Sequence, residues 1–158
     1  MSSGPPDDIL LSVPDAPWLP PGGRAEVVRS PTAPRPTGLV RLLVRRDGTV
    51  FCTPRDDGRL DLPTRRVSGD DPDGSVTARR LVRDVLGPGA RPSPVGYVRN
   101  VVPVPDDDYP WPVPVAHFTV WEAVGEPVRD GRWVDVSVGS SVLGTRHWWP
   151  LVAGAPGR

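Results

Sequence analysis

Residues 60 to 87 read LDLPTRRVSGDDPDGSVTARRLVRDVLG. An extended piece from Leu60 to Val67, interrupted at Pro63, enters the polar loop Ser68-Gly69-Asp70-Asp71, and the loop feeds a helix. Asp71 is suited to cap the first free amides. Pro72 fits the first helical position, where no donor is needed, and Asp73 complements the positive end of the helix dipole. Ala78, Leu81, Val82 and Val85 repeat at the i, i+3, i+4, i+7 spacing of one buried stripe, with Arg79, Arg80, Arg83 and Asp84 off it. Gly87-Pro88 stops the helix. Strand, acidic loop, capped helix and stop make the outline of a phosphate-handling module, since free amides at a helix start attract anions.

Strands flank this module on both sides. Leu39 to Arg46 reads as a strand, Asp47-Gly48 as a hairpin turn that needs positive φ, and Thr49 to Thr53 as the returning strand. Arg55-Asp56-Asp57-Gly58 is a further turn. After the helix, Val95 to Val104 and Val113 to Val124 are expected to pair antiparallel across the loop Pro105 to Pro112. Arg132 to Val136 is a short strand, and Ser137 to Trp149 is expected to include a last helix ended by Pro150. Strand pairs around two helices predict an α/β fold, a sandwich with a mixed sheet.

Residues 1–37 are crowded with prolines, each of which fixes φ and removes a backbone donor. They read as an extended proline-rich arm without a central strand, in which Ala25 to Val28 forms at most a short edge strand. The folded body is expected over 38–152, with a tail at 153–158. The arm is a candidate for partner docking or for homodimer formation. Its Pro31-Thr32-Ala33-Pro34 has the PxxP spacing, but Arg29 and Arg35 each miss the usual flanking basic position by one residue.

The formal net charge is zero, which gives no argument for a nucleic-acid polymer or an anionic membrane as partner. Lys is absent and Glu occurs only at Glu26, Glu122 and Glu126. Arg therefore supplies every side-chain cation that stays charged at neutral pH, and its abundance by itself says nothing about ligands. Cys52, alone and inside an apolar strand, reads as a buried thiol and excludes an internal disulfide. No apolar run approaches the length of a membrane span. The start, MSSGPPDDIL, lacks the basic and apolar regions of a signal peptide, so the expected location is cytoplasmic.

Hard-metal catalysis needs several oxygen ligands at one point, and carboxylates at i, i+3 and i+4 of a helix converge in that way. At positions 81, 84 and 85 this chain has Leu, Asp and Val. The order of elements resembles the Nudix hydrolase superfamily, whose box runs Gly, five residues, Glu, seven residues, Arg-Glu-apolar-any-Glu-Glu-any-Gly. Anchored on Gly87, Arg80 falls on the box Arg, Val82 on the apolar position and Asp84 on an acid. Leu81 and Val85 fall on the other two acids, so the box is degenerate. Leu62-Pro63 is similar to the Leu-Pro before the family's glycines, where this chain has Thr64-Arg65. Phe118-Thr119-Val120-Trp121, Arg132 to Asp135 and Arg146 to Leu151 extend the likeness, which is to actinobacterial members, over about residues 38–152.

The resemblance implies attack of water on a diphosphate linkage of a nucleotide-like small molecule, with Mg²⁺ or Mn²⁺ neutralising the developing charge. It places Asp84 and Arg80 in catalysis, Asp84 with Asp70, Asp71 or Glu122 at the metal, and Arg65, Arg66, Tyr109 and Trp111 as candidates for substrate binding. The replaced acids imply a weak hydrolase or, as the alternative, a non-catalytic module that binds a ligand or a protein. His117 and His147 read as structural, and Asp106-Asp107-Asp108 as a solvated loop. No P-loop, nucleophile elbow or dinucleotide fingerprint is present.

Overall fold

The computed structural model describes residues 7–137 and 143–153. The elements in chain order are β1 (Asp8–Val13), β2 (Arg24–Arg29), β3 (Thr37–Leu43), β4 (Arg45–Arg46), β5 (Thr49–Pro54), β6 (Leu60–Asp61), β7 (Thr64–Arg66), α1 (Ser75–Leu86), β8 (Ser93–Val101), β9 (Val115–Glu122), β10 (Arg132–Asp135) and α2 (Trp149–Ala153). Six strands form one sheet in the order β1-β2-β8-β9-β3-β7, and β10-β5-β4 form a smaller one, with β6 paired to β5. Neighbours in the large sheet run antiparallel except β3 and β9, which run parallel. The result is the mixed α/β architecture expected from the sequence.

Alternation in the inner strands serves two cores at once. Val40, Leu42 and Val44, with Trp121 of β9, pack against Ala78, Leu81, Val82 and Val85 of α1. The intervening residues face the other way: Leu43, Val98, Phe118 and Val120 pack with Leu62, Trp148 and Leu151 near α2. The two helices thus cover opposite faces of the large sheet.

The early prolines do not prevent a central strand. β1 and β2 fall in stretches free of proline, where the row of backbone donors is complete. β2 pairs with β1 on one side and β8 on the other, so Ala25–Val28 belongs to an interior strand rather than an edge.

The start of α1 also differs from the expected one. The helix begins at Ser75, and Gly74 is its N-cap with φ 77°, a left-handed value that favours glycine. A Cβ at position 74 would stand 2.9 Å from Val40 Cγ2 and 3.0 Å from Thr37 Cγ2, so the loop lies close on β3. Pro72 precedes the helix, and its carbonyl accepts from Thr37 N at 2.9 Å. Asp71 caps from a distance, accepting from Val76 N and Thr77 N at 3.0 and 2.7 Å.

The last helix is likewise displaced. Residues 143–148 form turns, and Pro150 lies inside the first turn of α2, where its missing N–H has no partner to lose. Residues 138–142 of the expected helix and 154–158 of the expected tail lie outside the described residues.

Candidate functional site

The helix positions that resemble metal ligands are occupied by the core. Leu81 is 3% and Val85 0% exposed, packed against β3 and Trp121. Asp84 sits on the solvent side of α1, where Arg129 Nη1 donates to its Oδ2 at 2.6 Å. Arg80 is exposed on the same helix, and Asp70 is exposed in the loop before it.

Asp71 is buried, and its Oδ2 accepts from both the amide and the hydroxyl of Thr77. Burial pushes its carboxyl upward, but the bonds from Thr77 and Val76 outweigh this and hold it below the usual value. Glu122 alternates with Trp121, so it points to the face opposite α1, where Arg45 Nε donates to it at 3.0 Å.

Mg²⁺ or Mn²⁺ needs oxygens that converge, and these residues do not fit that need. Among the described residues no three His, Cys, Asp or Glu side chains form a group able to hold a metal ion. Asp84, Asp70, Asp71 and Glu122 are not brought together.

The four substrate-binding candidates divide by face. Arg66 is the register partner of Leu39 and Arg65 that of Val40, so neighbouring arginines of β7 project to opposite sides. Arg66 lies over the Trp111 ring, 4.4 Å from its centroid, on the face away from α1. Trp111 meets Phe118 edge-on at 4.8 Å. It approaches β3 so closely that a Cβ on Gly38 would be 3.0 Å from two of its ring atoms. Tyr109 and Trp111 line one cavity of about 580 Å³, whereas Arg65 does not.

That cavity is built on the sheet. Leu39, Phe118 and Val98 are successive register partners across β3, β9 and β8, and they make an apolar row. Arg41 and Asn100, two residues further along β3 and β8, share this face and, because those strands run oppositely, add polar groups at opposite ends of the row. The walls come from the loops carrying Trp18 and Tyr109-Pro110-Trp111, and from Arg55 and His147. Trp18 stacks on His147 with ring centroids 4.6 Å apart.

Beneath the cavity lies Asp61, 2% exposed. Its Oδ1 accepts from Leu62 N and Trp148 Nε1, both at 2.8 Å. Its Oδ2 stands 3.7 Å from Arg41 Nε and 3.5 Å from Arg55 Nη1. Burial drives the Arg41 guanidinium below its ordinary value; Asp61 opposes this, while Arg55 and Arg146 add to it. Burial lowers His147 as well, with Arg41 and Arg146 acting in the same direction. Burial pushes the Cys52 thiol up to about 12, which leaves it inert as a nucleophile.

Sequence reasoning missed Arg41, Arg55 and Asp61. The available signal was a charge inside an apolar strand: Arg41 within Leu39 to Leu43, and Asp61 between Leu60 and Leu62. Their convergence depends on β3, β6 and the segment before α2 meeting in space, which no local pattern encodes.

No family model matches the chain, and no curated protein matches it. Among solved structures it is similar to the crystal structure of a mutant of the Bacillus subtilis pyrophosphohydrolase BsRppH, with a TM-score of 0.47 and 14% sequence identity. The likeness covers 76% of this chain and 69% of that chain. Among the described residues no helix is long and apolar enough to cross a membrane.

Proposed function

We propose that this chain is a small-molecule-binding module with the outline of a Nudix fold, in which the helix no longer carries metal-dependent diphosphate hydrolysis. One observation carries the reading: α1 turns Leu81 and Val85 into the core and leaves Asp84 outside, paired with Arg129. A hydrolase of that kind needs its helix acids to converge on a cation that neutralises phosphate charge. Here two of the positions contribute packing, and the remaining carboxylate has an arginine partner. The polar, aromatic-walled cavity on the opposite face of the sheet supports binding as the retained role.

Turnover measured against a panel of nucleoside diphosphate derivatives, with Mg²⁺ and with Mn²⁺, tests this reading. The expected result is no metal-dependent hydrolysis and no difference between the chain and Asp84→Ala. Metal-dependent turnover lost on Asp84→Ala would overturn the proposal in favour of the hydrolase.

A further inference from the structure

We infer that the outer edge of β1 is a pairing surface for a second copy of this chain, the two β1 strands meeting antiparallel about a two-fold axis. β1 closes one side of the six-stranded sheet, and among the described residues no strand pairs with its outer side. An edge strand presents a row of unpaired N–H and C=O groups, and edges that stay single are short or charged. The opposite edge is of that protected kind: β7 has three residues, all exposed, two of them arginines. β1 has six, DILLSV, and its one charge is Asp8 at the first position. The bulge between Ile9 and Leu11 does not end the strand, because pairing with β2 continues on both sides of it. It turns Leu10 and Leu11 to the same side, where Leu10 packs on the core near α2 and Leu11 lines an apolar cavity.

The edge is also where exposed apolar surface gathers. Ile9 is 53%, Leu11 45% and Trp18 46% exposed, while the other exposed large hydrophobics among the described residues are all valines. Leu11 and Trp18 share the walls of the cavity, about 470 Å³, with Val13, Val27 and Trp149. Apolar side chains collected at one place on a surface mark a contact, whereas scattered ones do not.

Charge selects the occupant. Asp7, just before β1, accepts from the neutral Tyr97 hydroxyl at 3.0 Å and keeps its charge on the α1 side of the sheet. Beyond the other end of β1, on the same side, Glu26 serves both Arg24 and Arg99, which leaves that end positive by one. The strand that fits is therefore apolar at its centre, acidic where it starts and accompanied by a cation where it ends. β1 of a second copy has these properties. A two-fold axis perpendicular to the sheet runs the two strands antiparallel and keeps like faces together. It places the two Leu11 side chains near the axis and Asp7 of each copy toward Arg24 of the other. Arg24 stands one strand further in, so about 10 Å separates the backbones, a gap that arginine and aspartate side chains span.

The magnitude follows from size. Six residues make an edge about 20 Å long. With one loop beside it, such an edge falls below the roughly 800 Å² per partner of a standard interface, so the dimer is reversible, with a Kd in the micromolar range.

Sedimentation equilibrium of the full chain from about 1 to 500 µM tests this. The expected mass rises with concentration from one chain to two. Leu11→Asp sets two carboxylates facing each other near the axis and should leave the chain monomeric throughout, at an unchanged melting temperature. Asp7→Arg and Arg24→Glu provide a test that does not depend on Leu11. Each change acts twice in a symmetric dimer, so either variant alone should associate about tenfold more weakly. Mixed together, the two variants should associate again, because the acidic copy then faces the basic one at both ends. A chain that stays monomeric at 500 µM overturns the proposal and leaves the edge to a different protein. A dimer that Leu11→Asp does not weaken, or charge variants that fail to associate better when mixed, overturns it equally by placing the contact elsewhere.

Discussion

Asp84 and Arg129 form an ion pair at 2.6 Å that ties the solvent face of α1 to the loop before β10. Both side chains are about half exposed, so water and salt screen the pair, and such contacts contribute at most about 1 kcal/mol. Arg129→Ala is expected to leave the urea midpoint nearly unchanged. It releases the Asp84 carboxylate but places no second oxygen beside it, so calorimetry should detect no Mg²⁺ binding in the variant. Clear Mg²⁺ binding after Arg129→Ala would mean that the arginine masks a metal site.

Asp71 is the opposite case, a buried carboxylate whose partners are all internal. It satisfies the amides of Val76 and Thr77 and the Thr77 hydroxyl, groups that would otherwise lack acceptors at the start of α1. Asp71→Ala should cost about 2–3 kcal/mol in chemical denaturation, and Asp71→Asn less because one oxygen acceptor remains. A loss no greater than that of a surface substitution would contradict this role.

Trp148 is fully buried, and its indole nitrogen donates to Asp61 at 2.8 Å. Trp148→Phe removes that donor and leaves space in the core, so a destabilisation of about 2–4 kcal/mol is expected. A loss below about 1 kcal/mol in a folded Trp148→Phe protein would contradict this role.

Acid should weaken the fold through its two histidines. Burial lowers His117, with Arg99 adding and the Pro36 carbonyl opposing; burial also lowers His147, with Arg41 and Arg146 adding and Asp61 opposing. An unfolded histidine titrates near 6.5. As the pH drops below about that value the unfolded state takes up more protons, so stability falls; above it the contribution is complete. Asp71 and Asp73 are held below their usual value, so what they contribute persists until the pH falls below about 3.8. Urea midpoints should thus be level from about pH 8 to 7 and decline between about 6.5 and 5, with a shallower decline in His117→Gln and His147→Gln. A midpoint that rises on acidification in this range would contradict the assignment.

What the sequence reveals is local. The Asp47-Gly48 hairpin forms with both residues at positive φ, the stripe Ala78, Leu81, Val82 and Val85 is the buried face of α1, and Gly87 ends it. β8 and β9 pair antiparallel as their apolar runs predict. The parallel match of β3 with β9 and the insertion of β2 beside β8 are set by shape and burial across the chain. The candidate site follows the same division. Tyr109 and Trp111 are visible as aromatics in a loop, but their neighbours Arg41 and Asn100 look like ordinary charged and polar residues until the strands are laid side by side.

The parallel pairing of β3 with β9 also bears on how the chain reaches this state. Register partners such as Val40 and Thr119 are separated by roughly eighty residues, so the entropy of closing that loop precedes any gain from the contact. β2 likewise has to wait for β8. During synthesis, therefore, β2 and β3, which flank the middle of the sheet, leave the ribosome with one edge unpaired and their apolar sides partly uncovered. They stay so until the second half of the chain arrives, which makes the slow step of folding the meeting of the two halves and its hazard the pairing of early strands between nascent chains.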